Sequence, residues 1–147
     1  MGRVLGIDHG TVRIGLALSD EMEIVASPLR TLDAARHPER EIAEIVAARR
    51  VSKIVVGMPL HMNGSHGEAA RRVEDFITRL GKELRHEVPI ETVDERLSSV
   101  EAEASLDRSG VTDPRQRRQV VDQLAAVIIL QEHLNRSHPA LLPPDEF

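Results

Sequence analysis

The sequence predicts an α/β fold: a mixed five-stranded sheet, with an antiparallel three-stranded meander plus parallel strands, and helices on both faces. Three observations carry this prediction. Three short apolar segments crowd into the first thirty residues, two more follow with helical patterns between them, and the last third of the chain reads as helix. Consecutive strands with tight connections form a meander, whereas strands alternating with helices pair in parallel.

Residues 4–8 and 13–18 read as strands joined by a Gly-containing turn, and residues 24–29 as a third strand. Residues 38–50 read as a helix, with Pro38 near the first turn and Ile42, Ile45 and Val46 on one face. Residues 54–57, Ile-Val-Val-Gly, form a wholly apolar strand of the kind buried in parallel sheets. A Gly/Asn-rich loop over 58–67 leads to a second helix over 68–85, where Val73, Phe76, Ile77, Leu80 and Leu84 recur at helical spacing. A fifth strand covers 88–93 and opens near Pro89. Helices over 99–108 and 115–135 follow. In the last of these, Val121, Leu124 and Ile128 read as the core stripe, with Asp122 on another stripe beside Arg118, Ala126, Ile129 and His133. Ala125 and Ala126 would let that helix approach the sheet closely. Residues 1–138 thus form one domain, and 139–147, with Leu-Leu-Pro-Pro, an extended tail.

At 147 residues, 41% hydrophobic and 29% charged, the chain suits one globular domain with a sizeable core. It has no Cys, which excludes a disulfide framework and thiolate metal sites. No apolar run is long enough to cross a bilayer and no secretory signal is present, so a cytoplasmic protein without a membrane partner is expected. The net charge of −5 weighs against nucleic-acid binding, which draws on Lys and Arg. The charge is uneven, however. Residues 20–46 hold seven acids and three Arg, whereas residues 108–118 hold four Arg and one acid, so one face could still accept a phosphate backbone. With two Phe and neither Trp nor Tyr, a base-stacking platform is not expected.

Acids stand out at three places in the chain. Asp8 closes an apolar strand, where burial is costly without a partner such as a metal ion or a phosphate-bearing substrate. Asp94 and Glu95 sit directly beyond the fifth strand. Asp122 lies within the most apolar helix. In open sheets of this kind, sites form beyond the carboxyl ends of the parallel strands. Converging carboxylates without Cys suit a hard divalent cation, Mg²⁺ or Mn²⁺. Two such ions about 3.5–4 Å apart can activate water and stabilise a leaving oxygen in phosphodiester cleavage. Each acid also has a plain structural reading: Asp8 as a turn residue, Asp94 as a helix cap, Asp122 as a solvated surface acid. Arg13 and Arg96 flank the acids and could hold phosphate oxygens, and Asn63 and Ser65 offer donors in the 58–67 loop, which lacks the Gly-Lys-Ser/Thr end of a P-loop. His61 and His66 in that loop have no third ligand nearby.

Four motifs occur in order: Gly6-Ile7-Asp8-His9-Gly10 with Arg13-Ile14-Gly15 and Ser19-Asp20; Val56-Gly57-Met58-Pro59-Leu60 with Asn63-Gly64-Ser65; Asp94-Glu95-Arg96-Leu97-Ser98-Ser99 with Glu101-Ala102-Glu103; and Val121-Asp122 with Ala125-Ala126 and Ile129-Leu130-Gln131. Over nearly its whole length the chain resembles the YqgF/RuvX family of Holliday junction resolvases, also called pre-16S rRNA nucleases, within the ribonuclease H-like superfamily. The resemblance implies a ribonuclease H-like fold and metal-dependent nuclease activity. It implies Asp8, Glu95 and Asp122 as the catalytic and metal-binding acids, with Asp94 as a further partner. The implied partners are precursor rRNA or branched DNA, and the small ribosomal subunit. His61 stands where the family pattern has Asn, and Arg117-Arg118 precede the last acid where Lys is common. These two Arg would help position the backbone.

Two other classes remain open on the residues alone. One is a nucleic-acid or ribosome-binding module with little activity, favoured by the acidic charge and the scarcity of aromatics. The other is an actin-like nucleotide binder, because Asp8-His9-Gly10-Thr11 resembles a first phosphate loop; the missing second copy of that motif speaks against it. A monomer and a homodimer are both compatible, and symmetric junction cleavage would need the dimer.

Overall fold

The computed structural model describes residues 2–59, 67–94, 110 and 112–137, with the backbone alone for Gln119. The predicted helix over 99–108, the tail over 139–147, and Asn63, Ser65, His61, His66, Glu95 and Arg96 lie outside the described residues.

Strands β1 (Arg3–His9), β2 (Arg13–Ser19) and β3 (Ala26–Asp33) form the meander. Helix α1 (Pro38–Arg49), strand β4 (Val51–Met58), helix α2 (Glu68–Glu83), strand β5 (Ile90–Asp94) and helix α3 (Pro114–Ser137) follow. The sheet order is β3-β2-β1-β4-β5. β1 pairs antiparallel with β2 and parallel with β4, and β5 continues the parallel half. The expected mixed sheet is present, and β1 is its central strand.

Alternation along β1 sorts two cores. Leu5 and Ile7 face α1 and α2, joining Ile42, Val73, Phe76 and Leu80. Val4 faces the other way, with Ala17, Val55 and Val93, against Ala126, Ile129, Leu130 and Leu134 of α3. The α3 side is built for close approach, as Ala125 and Ala126 suggested. A Cβ at Gly6 would lie 2.7 Å from Leu130 Cβ and 3.1 Å from the Ala126 carbonyl oxygen. Such overlap explains a glycine inside a core strand.

The core stripe of α3 differs from the predicted one. Ala125, Ala126, Ile129, Leu130 and Leu134 are buried, whereas Val121, Leu124 and Ile128 are half-buried. The helix is apolar on most of its circumference, so periodicity alone does not choose its inner face. Two polar anchors set the rotation. The Gln123 amide donates to Thr31 Oγ1 at 3.0 Å, and Gln131 both accepts from Ala26 N–H at 2.9 Å and donates to the Ile24 carbonyl at 2.9 Å. Asp122 is thereby turned onto the sheet-facing stripe.

Candidate active site

Asp8 lies near the carboxyl end of β1. Its alternation with Val4 and Gly6 puts it on the α3 face, while His9 turns to the other face and packs against Phe76, ring centroids 4.5 Å apart. Asp8 pairs across the ladder with Gly15 of β2. Gly15 in turn underlies α3: a Cβ there would collide with the backbone carbonyl of Asp122. One glycine thus brings the helix down beside Asp8 and seats Asp122 over the neighbouring strand. A glycine within an apolar strand was the sequence signal for this approach.

Arg13, two residues before Gly15, shares that face. Its Nε donates to Asp122 Oδ2 at 2.6 Å, a charge-assisted bond across 109 positions of sequence. The Asp122 side chain is 17% exposed and Arg13 33%, so the pair is part-buried. Burial pushes the Asp122 carboxyl above the ordinary carboxylate range, and the Arg13 guanidinium opposes that push. Arg13, Pro114, Arg117, Arg118, Val121 and Asp122 line an open groove of about 440 Å³. The solvated-surface reading of Asp122 is therefore wrong. Arg13, read from sequence as a phosphate contact, is bonded to this acid.

Asp94 sits differently. It ends β5 in register with Met58, which is buried in the core under α1 and α2. Residues opposite one another in a ladder share a face, so Asp94 belongs to the face away from Asp8 and Asp122. β4 lies between β1 and β5, which puts the Asp8 and Asp94 backbones about 10 Å apart. Among the described residues no three His, Cys, Asp or Glu side chains form a group that could hold a metal ion.

The donor chemistry fits a hard divalent cation. Asp8 and Asp122 stand on one face of neighbouring elements, both supply hard oxygen donors, and Asp122 already holds a cationic partner in a part-buried setting. The arginines beside them give the groove the charge that a phosphodiester backbone needs.

The family model described as RuvX, Holliday junction resolvase, matches residues 2–136. A relative from Chloroflexus aggregans named "Putative pre-16S rRNA nuclease" is 45% identical over 135 residues, covering 90% of this chain and 92% of the relative. A relative of the same name from Kineococcus radiotolerans is 42% identical, covering 95% of this chain and 74% of the relative. Among solved structures, Thermus thermophilus RuvC in complex with a Holliday junction substrate superposes with a TM-score of 0.55 at 17% identity, covering 93% of this chain and 96% of that one. Fowlpox virus resolvase with Holliday junction DNA gives 0.52 at 10% identity, covering 90% and 98%. At such identities the two structures speak for the ribonuclease H-like fold alone.

Proposed function

This chain belongs to the RuvX family, and from that membership we propose that it is a divalent-metal-dependent endonuclease whose substrate is the end of precursor 16S rRNA. The observation that carries the site is the seating of Asp122 over Gly15, beside Asp8, with Arg13 lining a groove that Arg117 and Arg118 also line. The names of the relatives favour rRNA as the substrate, and a cytoplasmic location beside the small ribosomal subunit goes with it.

In this reading Asp8 and Asp122 hold Mg²⁺ or Mn²⁺, and Glu95, next in sequence after the last residue of β5, supplies the third carboxylate. Asp94 is left outside the ligand set because of the face it occupies. A bound divalent cation supplies Lewis-acid stabilisation of charge on the phosphoryl oxygens and activates water near neutral pH. The chain's own residues do the rest. Arg117 and Arg118 bind the backbone, with Asn63, Ser65 and Arg96 as further phosphate contacts. Asp122, held on a rigid helix against the sheet, stays in place with little rotamer freedom to lose.

Branched DNA is the second reading, favoured by the family description itself. Incubating the protein with Mg²⁺ and either a precursor 16S RNA or a four-way DNA junction separates the two. Cleavage at the RNA end is the expected outcome. Paired, symmetric nicks in the junction by a dimer, with the RNA untouched, would favour the resolvase. Failure to cut either substrate with Mg²⁺ or Mn²⁺ would leave the binding-module alternative.

A further inference from the structure

We propose that Arg13 is a positioning residue that couples cation binding to phosphate capture, holding Asp122 in the cation-free protein and passing to the nucleic-acid backbone when a divalent cation takes that carboxylate. The inference rests on the metal-dependent nuclease reading above. Its basis is that one arginine serves two candidate roles that it cannot fill at once. The bond to Asp122 is short, 2.6 Å, and runs from Nε to Oδ2 within a part-buried pair. A divalent cation coordinated by Asp122 would compete for the same carboxylate and repel the guanidinium, because like charges in a partly desolvated site are unfavourable.

Released, Arg13 has somewhere to go. It begins β2 and lines the groove that Arg117 and Arg118 share, so its side chain stays among the groups that would meet a phosphate. A guanidinium has five donors in a planar fork and pairs with phosphate as readily as with carboxylate. The exchange has a thermodynamic consequence. Whatever factor cation binding adds to backbone affinity, backbone binding must add to cation affinity. An empty site would hold its acid neutralised, and a loaded site would gain a phosphate ligand.

The test measures Mn²⁺ affinity by calorimetry, and the affinity for a 2′-O-methyl RNA hairpin with and without saturating Mn²⁺. It uses wild type, Arg13→Gln, Arg13→Lys, Asp8→Asn and Asp122→Asn, with circular dichroism to check that each variant is folded. Arg13→Gln is expected to bind Mn²⁺ alone about tenfold more tightly than wild type, yet to gain about fivefold less hairpin affinity from Mn²⁺. Arg13→Lys should fall between, because it keeps the charge and loses the fork. Mn²⁺ binding that needs Asp8 and Asp122 but is equal or weaker in folded Arg13→Gln would overturn the coupling and leave the nuclease reading standing. Absence of Mn²⁺ binding in wild type, or binding indifferent to both aspartates, would overturn the coupling and the metal reading together.

Discussion

At the scale of single residues, the site depends on what Gly15 lacks. Its missing Cβ lets the Asp122 backbone settle onto β2 directly across the ladder from Asp8. Gly15→Ala must either push α3 away or distort β2, and overpacking of this kind typically costs about 1–3 kcal/mol. Urea unfolding should show that loss, and a midpoint equal to wild type would mean that the helix does not press on this strand. Asp8 was legible in the sequence because an acid closing an apolar strand lacks a local explanation. The Arg13–Asp122 bond was not, since nothing local links residues 109 positions apart. Both side chains carry sequence signals of function, but as separate contacts to ligands rather than as partners of each other.

At the scale of elements, α3 carries the largest difference between expectation and structure. Its apolar residues surround most of the helix, and the inner face follows from Gln123 and Gln131, whose partners in and beside β3 lie about 90 or more positions earlier. Truncation distinguishes the faces. Leu130→Ala removes a fully buried side chain and should cost about 2–5 kcal/mol in chemical unfolding. Leu124→Ala, at a half-buried position of the stripe first expected inside, should cost clearly less; the reverse order would restore that stripe. The strand boundaries moved for local reasons. β3 was expected from residue 24 but begins at Ala26, because Asp20 Oδ1 accepts the Ile24 and Val25 N–H groups at 2.8 and 2.9 Å and holds them in the turn. β5 begins after Pro89, which has no N–H to donate but whose carbonyl still accepts from Ile54 at 2.9 Å.

At the scale of the whole molecule, both cores flank one sheet and each holds a histidine disfavoured as a cation. His9, against Phe76, is held below the ordinary histidine value mainly by burial and then by Arg79; His133, on the α3 side, mainly by burial and then by Lys53, with Glu91, Glu23 and Arg136 also facing it. Below about pH 6.5 the unfolded chain therefore takes up protons that the folded chain resists, so these two groups lower stability as pH falls through that window. Asp122 acts in the opposite direction, because its raised value makes the folded chain hold a proton that the unfolded carboxylate has lost. Comparing thermal midpoints of wild type and His133→Gln from pH 7 to pH 5 isolates the histidine, and the variant should lose less on acidification. Parallel curves would show that His133 titrates alike in both states. The mixed sheet, its antiparallel meander and the helices on both faces were legible from strand spacing and helix periodicity, whereas the place of β4 beside β1 is a non-local pairing that local burial patterns do not set. The pairing of Arg13 with Asp122 was not legible either, because it depends on which face of α3 meets the sheet. The claim that this junction is catalytic is tested most directly by the Mg²⁺-dependent cleavage rate of a precursor 16S RNA by wild type and Asp122→Asn, a change that keeps the shape and an oxygen for Arg13. Even changes in groups that merely orient metal ligands cost about 10–100-fold, so loss of a ligand charge should slow cleavage by at least about 100-fold with the fold intact. A folded Asp122→Asn protein that cuts at the wild-type rate would contradict it.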